Sequence, residues 1–282
     1  MDNFNDSRLG MFTASEMHKL MAGGRRDMTP EELAARPAGD KRKTVDTLFG
    51  DTALTYIYDK VTEQLNLCPA PQIEKWELQW GLENEAAALS WYMQLTGEKL
   101  EIYGATNYKF FDYNDYSGCS PDAIVIGKRK NVQVKCPANS TNHTKYLVLP
   151  ENRQQWLKEN QYAYYVQCQF EMMCCRTDAC DFIVFDPRKD DGKYKMVIIE
   201  LAKDIELCDE IDRRLVEAQR IKREILKSLN AIPDISVKTP KQKATDELAE
   251  LEKQWDAQKN GAVQLTIHDT ENDTPVTVHD KI

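Results

Sequence analysis

The chain has 282 residues, 41% hydrophobic and 29% charged, which allows a sizeable core and argues against wholesale disorder. Its 37 Lys and Arg against 46 Asp and Glu give a net charge of −9. That excludes indiscriminate coating of nucleic acid, but not a local basic groove or a site where cations supply the positive charge. No apolar run reaches the roughly 20 residues of a membrane span, and MDNFNDSRLG lacks a signal peptide's basic and apolar regions. The expectation is a soluble, cytoplasmic protein.

Thr13 to Met21 reads as a capped helix ended by Gly23 and Gly24. The basic, Pro-containing stretch Arg25 to Lys43 reads as an exposed loop. Val45, Leu48, Tyr56, Ile57, Val61 and Leu65 follow mostly helical spacing. A stronger helix is predicted over 75–96, with Trp76, Trp80, Ala87, Ala88, Trp91, Tyr92 and Leu95 as its apolar side and Gly97 as its stop. Short strands are predicted at Leu100–Tyr103, Tyr108–Tyr113, Ala123–Ile126 and Val132–Lys135. A long helix is then expected from Arg153 to Cys175, followed by strands at Asp181–Asp186 and Lys195–Leu201. Ile205 to Leu229 reads as an amphipathic helix with Ile211, Leu215, Ala218 and Ile221 inward. This order describes a mixed α/β domain over residues 1–230. Residues 231–282 read as a linker and C-terminal appendage, with Pro233, Pro240 and neighbouring Lys residues at its start.

The eight cysteines form no CxxC pair, and His18, His143, His268 and His279 are scattered. Cys174, Cys175 and Cys180 have the types needed for an iron–sulfur site; reduced, buried thiols are the plainer account.

Chemistry is concentrated in Ser120-Pro121-Asp122 and, ten residues on, Gln133-Val134-Lys135. Residues 133 and 135 share one strand face because the side-chain period is two. Asp122 is a hard oxygen ligand suited to Mg²⁺. Lys135 can position or deprotonate a water and offset phosphate charge. Glu85, on the preceding helix, offers another carboxylate. Alone, the pattern also fits an Asp after a Ser-Pro turn and an exposed strand Lys.

Five blocks stand in order: Arg8-Leu-Gly-Met-Phe-Thr-Ala-Ser15, Trp80-Gly-Leu-Glu-Asn-Glu85, Cys119-Ser-Pro-Asp122, Gln133-Val-Lys-Cys-Pro137 and Ala163-Tyr-Tyr-Val-Gln167, with Phe185-Asp186-Pro187-Arg188 as a sixth. In these the sequence resembles the phage lambda exonuclease group, the YqaJ-like viral recombinases of the PD-(D/E)xK nuclease superfamily, from about Arg8 to Leu229 with an insertion around 26–44. The resemblance implies a restriction-endonuclease-like core, a mixed β-sheet flanked by helices. It implies that Asp122, the residue at 133, the Val134 carbonyl and Glu85 hold Mg²⁺ (Mn²⁺ as an alternative), two ions per site, with Lys135 acting on the water. Arg8, Ser15 and Ser120 match a pocket for a 5′-terminal phosphate, which Arg can grip bidentately. Arg25 matches a side chain reaching into the duplex and Leu78 a strand-separating wedge, while Tyr164 and Gln167 match residues lining the active-site helix. Trp76, Trp80 and Trp91 are expected in the core.

The implied activity is 5′-to-3′ digestion of one strand of linear double-stranded DNA. A homotrimeric ring and a partner single-strand annealing protein are also implied. Lys41-Arg42-Lys43 and Arg25-Arg26 are candidates for the channel mouth, or else a solvated basic loop. One departure matters: the family pattern has Glu where this chain has Gln133. An amide oxygen can still meet a cation but brings no charge; Mrr-like restriction enzymes use Gln-x-Lys. The rivals are therefore a DNA-end-binding module that does not cut, and an endonuclease of the same superfamily.

Overall fold

In a computed structural model of the protein, residues 8–69, 76–104 and 107–231 are described. The features expected beyond residue 231 lie outside them. The described chain opens with β1 (Phe12–Thr13), one 3₁₀ turn at Ala14–Glu16 and α1 (Met17–Leu20). A ribbon of β2 (Gly24–Asp27) and β3 (Thr44–Thr47) follows, with α2 (Pro30–Ala34) between its strands. Then come α3 (Asp51–Asn66), α4 (Trp76–Thr96), β4 (Leu100–Ile102), β5 (Phe111–Asn114), β6 (Ser117–Cys119), β7 (Ala123–Val125) and β8 (Lys130–Lys135). The chain continues through α5 (Ser140–Leu147), α6 (Arg153–Asn160), α7 (Tyr162–Cys175), β9 (Ala179–Phe185), β10 (Met196–Ala202) and α8 (Ile205–Ser228).

The central sheet is mixed, in the order β10-β9-β8-β7-β4. Within this sheet only β8 and β9 run parallel, with Gln133 opposite Phe182 and Lys135 opposite Val184. A parallel step needs a crossover, and α5, α6 and α7 supply it. α4 packs on one face of the sheet, against β8 and β10, and α7 on the other. Both faces of β8 and β9 are therefore covered, which explains the nearly unbroken apolar run from Cys180 to Phe185. On β8, Val132 and Val134 enter the α4-side core. Asn131, Gln133 and Lys135 alternate with them and face α7. A second sheet, β1-β6-β5, packs against α7 through β5 and β6.

The helices at 51–66, 76–96 and 205–228 follow the apolar spacing, and Gly97 stops α4 at φ +73°. Asp204 caps α8 by accepting from Leu207 N at 3.1 Å. Ile211, Leu215 and Ala218 are buried as expected, and Ile221 partly so.

Other expectations fail. Thr13 is extended strand without a side-chain cap, so the capped helix becomes β1, a 3₁₀ turn and the single turn α1. The stretch read as a loop from Arg25 to Lys43 belongs to the ribbon, whose turn is organised by a Thr29/Glu32 capping box and Pro30. The long helix breaks at Gln161 into α6 and α7, at φ −139° and ψ 48°. Strand β6 and helix α5 are additional elements, and β5 begins at Phe111, not Tyr108. On α4, only Ala88, Leu89 and Tyr92 are buried; Trp76 and Leu95 are exposed and Trp80 and Trp91 half-buried. Only Cys68 among the eight free cysteines is exposed.

The N-terminal segment is anchored at Gly10, with φ +71°. A Cβ there would lie 3.3 Å from both Gln64 and the Lys60 carbonyl. Its N–H donates to Glu63 Oε2 at 3.1 Å and its carbonyl accepts from Lys222 Nζ at 2.6 Å, while Lys60 pairs with Glu63 at 2.8 Å. These buried charges fix the chain just after Arg8 against α3 and α8. Gly10→Ala is expected to cost roughly 1–2 kcal/mol from the left-handed backbone alone, measured as a lower urea midpoint at unchanged slope.

Candidate active site

The pairing of β7 with β8 ends at Ala123 opposite Val132. Beyond that point, Val134 N–H donates to Asp122 Oδ2 at 2.5 Å. The strand end thus holds the carboxylate that sits one residue before β7. Gln133 Nε2 donates to the same oxygen at 2.5 Å and to the Val134 carbonyl at 3.3 Å. Asp122, Gln133, Val134 and Lys135 open into a cleft of about 1710 Å³ that is also lined by Arg8, Ser15, Leu78, Glu85 and Tyr164.

Burial pushes the Asp122 carboxyl up, against the opposing pull of Lys135 and its two hydrogen bonds. Glu85 is pushed up by burial and then by the Asp122 charge, with Lys135 opposing. Two partly desolvated carboxylates facing one ammonium make a site short of positive charge. The Lys135 ammonium lies 5.1 Å from the Tyr164 ring centre, and that ring packs on Phe182 at 5.6 Å. Lys135 therefore has an aromatic support that leaves its donors directed to the cleft.

The geometry between α4 and β8 is held by the Phe185-Asp186-Pro187-Arg188 block. Arg188 pairs with buried Asp186 at 2.7 Å, donates to the Ala138 and Pro137 carbonyls at 2.8 and 3.1 Å, and lies 4.4 Å from the Trp80 ring centre. One guanidinium thus ties the loop after Lys135 to the helix that carries Leu78 and Glu85.

Three expected site residues are not among the cleft lining. Ser120 donates to the Lys109 carbonyl at 3.0 Å. Arg25 is exposed on β2 and pairs with Asp46 at 2.9 Å. Gln167 is buried behind Gln133, donating to its Oε1 at 3.0 Å. The basic ribbon is largely self-neutralised: Arg26 pairs with Glu32 and Arg42 with Asp40, each at 2.7 Å. Arg8 lies 5.6 Å from the Tyr108 ring centre.

The structure adds residues that sequence reasoning missed. Lys19 and Lys60 line the cleft beside Arg8 and Ser15, their ammonium groups 5.1 and 5.2 Å from the Tyr56 ring centre. A lysine on the apolar stripe of α3, between Ile57 and Val61, was the available signal for Lys60. Glu171 is fully buried within the apolar run Phe170–Cys175 of α7. Burial and then the Asp122 charge push its carboxyl up to about 8.

Among the described residues, no three His, Cys, Asp or Glu side chains are clustered to hold a metal ion. The available set is instead two carboxylates, a backbone carbonyl and an amide, all hard oxygen donors of the kind Mg²⁺ takes. An amide N–H₂ already sits against two of those oxygens, Asp122 Oδ2 and Val134 O. The donor set fits a hard divalent cation.

Residues 3–179 match the YqaJ-like viral recombinase domain. The chain belongs to that family. No curated protein matches it in sequence. Among solved structures, it is similar to the alkaline exonuclease LHK-Exo of Laribacter hongkongensis at TM-score 0.58 and 21% identity, over 79% of this chain and 93% of that one. LHK-Exo in complex with dAMP matches at TM-score 0.60 and 21% identity, over 81% and 96%. A phage-related exonuclease from Haemophilus somnus 129PT matches at TM-score 0.56 and 18% identity, over 78% and 96%. The family member thus has the mixed α/β fold of the alkaline exonucleases. No helix among its described residues is long and apolar enough to cross a membrane.

Glu85→Gln is expected to stabilise the cation-free protein at pH 8. A carboxyl raised above its ordinary 4.5 holds its proton better folded than unfolded, so stability falls as pH rises above that value. The advantage of the amide should therefore shrink on acidification and vanish below about pH 4. Urea unfolding of both proteins across this range measures it.

Proposed function

We infer that the chain is a cation-dependent 5′-to-3′ exonuclease that degrades one strand of linear double-stranded DNA from a 5′-phosphorylated end. One observation carries the reading: Asp122, Glu85 and Lys135 share a cleft with Arg8, Ser15, Lys19 and Lys60. The first set suits phosphodiester hydrolysis and the second suits a terminal phosphate. The family and fold support a nuclease in general.

Asp122, the Val134 carbonyl, Glu85 and the Gln133 carboxamide oxygen would hold Mg²⁺ or Mn²⁺, one ion or two. Such an ion supplies charge neutralisation on the phosphate and acidifies water. Lys135, steadied by Tyr164, would orient the attacking water and offset charge on the phosphate as its P–O bond to the departing nucleotide breaks. Arg8 and Ser15, with Lys19 and Lys60, would grip the terminal phosphate, and Ser120 would join them on releasing the Lys109 carbonyl. Leu78, exposed at the cleft wall, would separate the end base pair, and Arg25 would engage the duplex on leaving Asp46. A homotrimeric ring in the bacterial cytoplasm, passing its 3′ overhang to a single-strand annealing protein, completes the proposal. It suits an acidic chain that gathers Arg8, Lys19, Lys60 and Lys135 at one cleft, because repulsion elsewhere directs DNA there. Residues 231–282 are assigned to a linker and C-terminal appendage.

A second reading, an end-binding module that does not cut, is favoured by Gln133: its amide nitrogen, not its oxygen, faces Asp122. Linear duplexes with 5′-phosphate or 5′-hydroxyl ends, in Mg²⁺ or chelator, separate the two. The exonuclease is expected to release mononucleotides only with Mg²⁺ and faster from the phosphorylated end. Asp122→Ala or Lys135→Ala should lose about 10²–10⁴-fold in rate. Binding without release, with activity only after Gln133→Glu, would establish the second reading. Cleavage of closed circular duplex would instead indicate an endonuclease.

A further inference from the structure

A chain of buried side chains runs inward from the Asp122 carboxylate to Glu171. Gln133 Oε1 accepts from Gln167 Nε2 at 3.0 Å, and the same nitrogen donates to Glu171 Oε1 at 2.8 Å. Glu171 Oε2 accepts from Asn131 Nδ2 at 3.3 Å. Asn131 is itself oriented, because its Oδ1 accepts from Thr177 Oγ1 at 2.9 Å. The direction of every bond follows from the far end. Both Glu171 oxygens accept here, so Gln167 turns its N–H₂ inward. That group also meets Gln133, which must offer it an oxygen. Gln133 then has only its N–H₂ to present to Asp122 and the Val134 carbonyl, where a cation would require an oxygen.

We propose that Glu171 is a positioning residue for the cation site, setting the amide orientation of Gln133 through Gln167. This rests on the cation-dependent reading above. While residue 171 accepts, Gln133 shows the cleft its nitrogen, which gives the ion no ligand. When residue 171 donates, Gln167 turns its oxygen inward. Gln133 then gives its N–H₂ to that oxygen and its own oxygen to the cleft. The second arrangement keeps the links from Gln133 inward and sets the Gln133 oxygen against Asp122 Oδ2 and the Val134 carbonyl, three acceptors that a cation would reconcile.

Glu171→Gln tests this directly. Asn131 Nδ2 would draw the new amide's oxygen, leaving its N–H₂ facing Gln167. Simple electrostatics predicts that replacing a buried acid near the site by a neutral amide does not strengthen cation binding. The relay predicts the opposite. Mn²⁺ titrated into the DNA-free protein, followed by calorimetry and by electron paramagnetic resonance, is expected to bind Glu171→Gln about fivefold more tightly than the parent. Glu171→Met, which cannot direct Gln167, should not reproduce the gain. In a Gln133→Glu background, which has no amide to turn, Glu171→Gln should give no gain. Urea unfolding verifies that each variant folds. Unchanged or weaker binding in Glu171→Gln, an equal gain in Glu171→Met, or a gain that survives Gln133→Glu overturns the positioning role. If neither the parent nor Gln133→Glu binds Mn²⁺ in a manner abolished by Asp122→Ala, the cation site itself is overturned along with it.

Discussion

Strand pairing stops one residue short of Asp122, and the site grows from that interruption. An unpaired backbone N–H inside a protein needs an acceptor, and Val134 finds it in the Asp122 carboxylate. The bond holds a charged group at the rim of a buried sheet, pointing where Lys135 and Glu85 also point. A one-residue slip of β8 against its neighbours would exchange its two faces and send Gln133 and Lys135 into the α4-side core. The register of a short strand pair therefore decides whether these groups form a site.

Two further charge arrangements hold the surroundings. Lys60, Glu63 and Lys222 bracket Gly10 and keep Arg8 near the cleft. Asp186 and Arg188 tie the loop after β8 to α4. Each uses buried or half-buried ion pairs, which contribute little net stability but resist displacement because breaking them strands a charge. Such pairs suit positions where geometry matters more than free energy. The ribbon at β2 and β3 is different: its arginines are exposed and spend their charge on neighbouring acids.

The substitution of an amide at position 133 gives the interior its unusual polarity. Besides Asp122 and Glu85 at the cleft, a further acid lies deeper, at Glu171 on α7, and is joined to Gln133 by hydrogen bonds through Gln167. Amides have a donor end and an acceptor end, so a row of them transmits orientation. A carboxylate at position 133 could not do this, since both of its oxygens are alike.

Much was legible from residue order. Regular apolar spacing marked α3, α4 and α8, because one buried face repeats every turn; alternation and β-branched runs marked β7 to β10. Asp122 and the Gln133/Lys135 face were legible too, since the period of a strand is independent of what it packs against. The division at Gln161, strand β6 and the ribbon were not, because each depends on partners distant in sequence. The exposure of Trp76 and the burial of Lys60 and Glu171 also depart from what residue type suggests: composition states a residue's preference for water, whereas burial is decided by what the remaining chain brings to it. Residue chemistry and spacing were thus determined locally by the sequence, while the direction of the Gln133 amide and the gathering of Arg8, Lys19 and Lys60 beside Asp122 were decided only by tertiary structure, since contacts between α1, α3, α7 and β8 exist only once the chain has closed on itself.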